Sequence, residues 1–377
     1  MAIADDLALY AVGYFAHESH PFRMDSYCLN TIQRKTPCTT CSDVCPEQLN
    51  ISARKPNWKG CINCNLCVTM CPTEAIHEST TSLTSTLSAL DTDGDYIVVA
   101  CDDYEGHADV RCACIGCMPW ELLAAMSLSK GIVLKTKICR ECPNEFLVEE
   151  VKDKVKKLRR FFGKEEFLRR FFTAEPEGGK ASAGAAKRHA FSSAFGAVKS
   201  GAEQIVAENP PKVSHYRALL LESLESIPEE NRPAVTWETL VQDGDCRGCI
   251  ICGRMCPHDS IKLNIPDVTA SEYSSVLRVG PGANDTEETQ IEGFQYPQSY
   301  IHEASRCTQC GLCYISCPIS NIGGWDKITT KKVPAYNETP ISVKLCEKCK
   351  RPFKPDNEED TVCQTCNRRK FGIGGRR

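Results

Sequence analysis

The sequence predicts an α+β chain built from five small consecutive modules, and three observations predict it. A cysteine run of fixed spacing, C-x2-C-x2-C-x3-C followed by proline, occurs three times intact and once in altered form. Short β-rich apolar runs and one helical stretch follow the first pair of runs, and a basic amphipathic segment separates them from the second pair. Two C-x2-C knuckles stand at the end. The expected boundaries are 1–90 and 236–335 for the two cysteine-run modules, 91–145 for a small Cys-rich α/β unit, 146–235 for a helical and flexible linker, and 336–377 for a ribbon-like tail.

Composition narrows the classes. The 377 residues suggest two or three domains, with 42% hydrophobic and 25% charged residues, as in soluble globular proteins. A formal net charge of -4 and a pI near 6.1 give no global attraction to nucleic acid, and none is expected as a partner. The unusual quantity is 26 cysteines, which disulfides, zinc or iron–sulfur clusters would explain. The opening residues 1–7 carry acids where a secretory leader would carry bases. No stretch approaches the roughly 18 uninterrupted apolar residues of a membrane span. The expectation is a reducing cytoplasm, in which thiolates serve metals rather than disulfides.

The intact runs are Cys61, Cys64, Cys67, Cys71 with Pro72; Cys246, Cys249, Cys252, Cys256 with Pro257; and Cys307, Cys310, Cys313, Cys317 with Pro318. This spacing is the bacterial ferredoxin signature. Three close thiolates grip one corner of a cubane, and the fourth reaches the neighbouring cluster, so runs work in pairs. In the altered run Cys38, Cys41, Cys45 and Pro46 match the last positions, and Cys28 is read as a first ligand displaced by an insertion. Its alternative is a free buried thiol. The shared-ligand rule then gives four sets: Cys28, Cys38, Cys41, Cys71; Cys45, Cys61, Cys64, Cys67; Cys246, Cys249, Cys252, Cys317; and Cys256, Cys307, Cys310, Cys313.

The motifs WKGCINCNLCVTMCPTEAI, CRGCIICGRMCPHDSIKL and CTQCGLCYISCPISNI resemble the dicluster [4Fe–4S] ferredoxin family over residues 25–80 and 240–325. The resemblance implies two short βαβ-like halves around two clusters in each module. The second module departs from the compact pattern, because about fifty residues separate Cys256 from Cys307 and an acidic loop is expected over 281–295.

Between the modules, Tyr96–Ala100 reads as a strand ending at Cys101, and Asp109–Arg111 as a second leading to Cys112, Cys114 and Cys117. Pro119 opens a helix with Trp120, Leu122, Leu123 and Met126 on its apolar face. Gly131 ends it, and Ile132–Leu134 is a third strand followed by Cys139 and Cys142. Cysteines at the carboxyl ends of strands converge as ligands do in open α/β sheets. Cys101, Cys114, Cys139 and Cys142 are the expected set for a fifth Fe–S cluster or a zinc ion. Buried silent thiols are one alternative. A redox-active Cys112/Cys117 pair is another. The segment also resembles a domain that follows the first ferredoxin module in some polyferredoxins.

Residues 151–172 read as one amphipathic helix with nine basic against three acidic residues, and Leu-Arg-Arg-Phe-Phe occurs in it twice. A basic aromatic helix can dock on an acidic partner or a membrane surface, but a solvated face over a packed apolar stripe is the preferred reading. A Gly/Ala/Ser-rich linker over 176–186 and a helix over 216–227 follow. Cys346, Cys349, Cys363 and Cys366 resemble a zinc ribbon with one Zn2+, flanked by basic residues at 350–351 and 368–370. A rubredoxin-type iron uses the same ligands.

No Gly-rich nucleotide loop, histidine pair or paired carboxylates stand out. The expected activity is outer-sphere electron transfer through four or five [4Fe–4S] clusters, beside redox partner proteins or subunits of a larger oxidoreductase. Polyferredoxins of similar layout accompany molybdopterin enzymes such as formate dehydrogenases, and hydrogenases. The alternatives are a redox enzyme subunit with catalysis at the middle cysteines, and an Fe–S maturation or scaffold protein.

Overall fold

The computed structural model describes residues 20–32, 37–77, 94–142, 145–174, 215–242, 246, 248–264, 299–320, 322–349 and 352–368. The expectations on 1–7, 176–186, 281–295, 350–351 and 369–370 lie outside them. The chain divides into two compact units. Met1–Trp237 with Thr308–Cys310 and Thr329–Pro334 forms one, and the remainder forms the other. Helices and strands mix in both.

In the first unit β1 (Phe22–Arg23) pairs antiparallel with β2 (Ile76–His77), matching Phe22 to His77 and Arg23 to Ile76. This short ladder closes a loop holding α1 (Leu29–Ile32), α2 (Thr40–Asp43) and α3 (Leu66–Met70). Val44, Ile51, Leu66, Val68 and Ile76 fill the core beneath them. A buried charge sits among them. The Arg23 guanidinium donates to Ile51 O (2.9 Å), Ala53 O (2.8 Å), Arg54 O (3.1 Å) and the Asp25 carboxylate (2.8 Å), which satisfies a cation that water no longer reaches.

The following layer is a parallel sheet in the order β4-β3-β5-β6. Its strands are β3 (Tyr96–Cys101), β4 (Val110–Cys112), β5 (Gly131–Leu134) and β6 (Phe171–Phe172). Ile97, Val98, Val99, Ile132 and Val133 are buried, as the interior of a parallel sheet requires. The helix stops at Ser129 with Lys130 as its cap, and Gly131 follows as the first residue of β5, where a Cβ would stand 2.6 Å from the Tyr96 ring. The crossover helix α4 (Trp120–Ser129) is buried from Trp120 to Leu128 and packs on β5, α5 (Glu145–Arg170) and α6 (His215–Glu225).

The segment read as a linker differs most from expectation. Its helix, α5, starts at Glu145 and breaks at Gly163 (φ 76°, ψ 167°), and the chain then enters β6, which pairs with Ile132 and Val133. The physical reason is apolar burial: Leu158, Phe161, Phe162 and Phe171 need a partner surface, and the sheet edge supplies it. Phe161 meets Trp120 and Trp237 edge-on at 5.1 and 4.9 Å. Arg217 of α6 lies over the same two indoles and pairs with buried Glu121 at 2.9 Å.

In the second unit β7 (Ile261–Asn264), β8 (Ser299–Glu303) and β9 (Tyr336–Pro340) form an antiparallel sheet in the order β9-β8-β7. Against each other pack α7 (Ile251–Met255) and α8 (Leu312–Ser316), with Leu240, Ile261, Tyr300, Ile322 and Val343 in the core. The tail adds the hairpin β10 (Lys344–Leu345) and β11 (Pro352–Phe353), then α9 (Gln364–Arg368).

Candidate metal centres

The four cysteine runs share one backbone feature, and the three intact runs share a second. The residue three beyond the last cysteine is left-handed in each: Gln48, Glu74, Asp259 and Ser320, with φ of 50–53°. The residue before the run's helix is left-handed in the three intact runs: Asn65, Ile250 and Gly311. Successive left-handed positions aim backbone N–H groups inward, as anion-binding nests do. The thiols receive them. Asn63 N donates to Cys61 Sγ (3.4 Å), Ala75 N to Cys71 Sγ (3.2 Å), Gly248 N to Cys246 Sγ (3.5 Å) and Ser260 N to Cys256 Sγ (3.4 Å). Such bonds stabilise thiolate and tune a bound cluster.

In the first unit two open cavities of about 320 and 300 Å³ carry four thiols each. Cys28, Cys38, Cys41 and Cys71 line one, with Arg23 and Thr73. Cys45, Cys61, Cys64 and Cys67 line the other, with Ile51 and Leu66. The structure thus brings Cys28 to the same cavity as the three thiols paired with it by rule. The insertion makes this reachable. Cys28 O accepts from Thr31 N and Ile32 N (both 2.9 Å) at the start of α1, and the Asn30 amide clamps both Cys38 N and Cys38 O at 2.7 Å.

Crowding and burial make the most enclosed of the cluster-site thiols hold their protons. Burial, then the neighbouring Cys71, Cys38 and Cys28, pushes Cys41 up to about 12, and burial with Cys64, Cys41, Cys61 and Cys45 pushes Cys67 up. In the second unit burial, followed by Cys249, Cys246 and Cys317, pushes Cys252 to about 12. A bound polycationic core reverses that balance and releases the protons, so a soft thiolate donor set with N–H···S support fits an iron–sulfur cube. Cys256, Cys307, Cys310 and Cys313 occupy the equivalent places of the repeated backbone.

Gly253 sits where α7 meets β7. A Cβ there would stand 2.8 Å from both Ile261 O and Ile250 Cδ1. Gly253→Ala is expected to cost about 1–3 kcal/mol by overpacking, read as a lower urea midpoint for the second unit under anaerobic conditions.

The middle cysteines stand at the carboxyl edge of the parallel sheet. Cys101 and Cys112 pair across β3 and β4, and Cys139 lies in the 3-10 turn Thr136–Arg140 beyond β5. After burial, Cys114, Cys101 and Cys142 raise Cys139, but the four sulfurs do not close to within 4.8 Å of one another as the tail cysteines do. Cys112 is tied elsewhere, with Sγ 3.5 Å from Ala100 O, and burial pushes it up. The hydrogen-bonded pair is Cys114 with Cys117 rather than Cys112 with Cys117. Cys117 and the Gly116 N–H (3.3 Å) together pull Cys114 down to about 6.

Sequence reading missed Lys154, which it counted in a solvated basic face. It is buried, donates to Gly116 O (2.7 Å) and to Met118 O, and burial lowers it to about 8. Its signal was positional, since 154 falls on the stripe of Val151 and Leu158.

At the tail Cys346, Cys349, Cys363 and Cys366 place all four sulfurs within 4.8 Å of one another, the only such group among the described residues. Cys349 Sγ and Cys363 Sγ are 3.8 Å apart. A tetrahedron with metal–sulfur bonds of ~2.3 Å has edges of about 3.8 Å. Burial of Cys346 opposes ionisation, but backbone N–H groups of Cys349, Cys363 and Lys348 outweigh it and bring the thiol to about 6.

Residues 245–320 match the family model of the 4Fe-4S dicluster domain, and residues 55–77 that of the 4Fe-4S binding domain. No curated protein and no solved structure matches the chain. Both matches and the cysteine complement are consistent with a polyferredoxin-like 4Fe–4S protein. Its 4Fe–4S binding domains imply iron–sulfur electron transfer. No described helix is long and apolar enough to cross a membrane.

Proposed function

We propose that the chain relays electrons as a subunit or partner of a larger cytoplasmic oxidoreductase, of the kind that polyferredoxins of similar layout serve. Four [4Fe–4S] clusters sit on the four paired cysteine sets, and one zinc ion sits in the tail. The observation that carries this reading is the pair of four-thiol cavities in the first unit, side by side in one core. A bound cluster supplies a one-electron store. The chain's residues do the rest. Thiolates hold iron, backbone N–H groups bias the potential, and Leu66, Ile51 and Ile76 keep water back.

Anaerobically purified protein is expected to contain about sixteen iron and one zinc per chain, with reduced-cluster EPR signals. A colourless preparation holding zinc alone would sink the relay. Cys346→Ser is expected to remove the zinc and leave the iron unchanged, by metal analysis. Loss of iron in that variant would mean that the tail site belongs to the relay.

A further inference from the structure

Cys117 is one of six cysteines that the four clusters and the tail zinc leave over, and it is not placed like a spare. It is buried inside the first module's core, in one cluster with Cys41, Cys67, Leu66 and Val68. Its carbonyl accepts the Thr69 hydroxyl, and Thr69 stands between Cys67 and Cys71 on α3. Cys64 packs against the same cluster. Three residues away, half-exposed Cys114 shares a hydrogen bond with it. The Cys114 sulfur also accepts Gly116 N at 3.3 Å. The Cys114–Met118 turn is fixed from below by Lys154, and Gly116 has no room for a side chain. A Cβ there would meet Glu150 Cβ at 3.2 Å and Leu147 O at 3.4 Å.

We propose that Cys114 and Cys117 form a redox-active dithiol that reduces a disulfide substrate with electrons from the first ferredoxin module. A half-exposed attacking sulfur and a buried resolving sulfur, two residues between them, suit thiol–disulfide exchange. The Cys114 thiolate attacks one sulfur of the substrate, forms a mixed disulfide and expels the other half as thiolate. Cys117 gives up its proton and attacks Cys114 sulfur, which releases the second half and leaves a Cys114–Cys117 disulfide. Two electrons, delivered singly from the reduced cluster on the Cys64 side, and two protons restore the dithiol. The electron source rests on the relay reading. The assignment also takes Cys114 out of the set expected with Cys101, Cys139 and Cys142.

Glutathione disulfide is the probe, added to the full-length, iron-loaded chain without oxygen, followed by alkylation and fragment mass spectrometry of residues 112–130. The wild type and Cys112→Ser are expected to show a Cys114–Cys117 bond that reopens when the clusters are reduced. Cys117→Ala, which keeps the buried site small and apolar, is expected to stop at a glutathione adduct on Cys114. Cys114→Ser is expected to show neither and to keep its iron. Unreactive Cys114 in iron-replete protein overturns the dithiol and leaves the relay standing. So does a bond that maps to Cys112, or a loss of about four iron in Cys114→Ser. Missing iron in the wild type, with the exchange intact, strikes the relay instead.

Discussion

Replacing Arg217 by Met is expected to destabilise the first unit by about 3–5 kcal/mol, the usual cost of stranding one member of a buried ion pair. Arg217 bonds Glu121 at 2.9 Å, lies over Trp120 and Trp237, and is the cation that most opposes the upward push on Glu74. Met fills much of the volume but leaves two carboxyl groups facing each other. Chemical denaturation under anaerobic conditions measures the effect. A variant as stable as the wild type would show that the pair is not worth its desolvation.

The same cluster gives a pH dependence with a definite sign. Burial, and then the charge of Glu121, raises the Glu74 carboxyl from 4.5 to about 8. A carboxyl raised on folding binds its proton more tightly in the native state. Its contribution is fully present below about pH 4.5 and is lost as pH climbs through about 8. Glu74→Gln is expected to flatten the fall in stability across that window, and to exceed the wild type at its alkaline end. Denaturation midpoints measured from pH 5 to 9 decide it. An unchanged slope in the variant would assign the titration to another group.

Arg23→Met carries the other large expected effect. The guanidinium satisfies three carbonyls, at Ile51, Ala53 and Arg54, and forms a wall of the cavity lined by Cys28, Cys38, Cys41 and Cys71. Stranding each carbonyl costs about 1–3 kcal/mol. The loop between α2 and α3 then loses its anchor, and the expected result is about four fewer iron per chain, from that cavity alone. Metal analysis of the variant checks this. Retention of the full iron content at wild-type stability would show that water replaces the guanidinium without loss.

The 4Fe–4S motifs were legible because cluster chemistry is written in local spacing. Four residues on a short loop set three sulfurs around one corner whatever the surroundings. The strand endings at Cys101 and Cys112 were readable for the same reason, since period and turn residues are local signals. What escaped was set by distant partners. Leu-Arg-Arg-Phe-Phe at 158–162 is helix with both Phe buried. The same five residues at 168–172 leave Leu168 exposed and end in β6. Only the free edge of β5 and the break at Gly163 separate the two outcomes, and neither is legible in the pentapeptide. Arg23, Thr69 and Lys154 act through carbonyls 28 to 48 positions away, where spacing says nothing.

The shared core around Cys117 has a thermodynamic consequence. The first pair of cysteine loops and the Cys114–Cys117 turn after β4 share one set of side chains, with Leu147 and Tyr216 packed against it, and the Thr69 hydroxyl. Melting either one exposes the core of the other, so the loops and the layer that carries this turn are expected to open as a single foldon. Denaturant should therefore bleach the visible absorbance and erase the sheet's far-ultraviolet signal at one midpoint. Oxidative damage to the cofactors would then propagate into the backbone of the neighbouring layer.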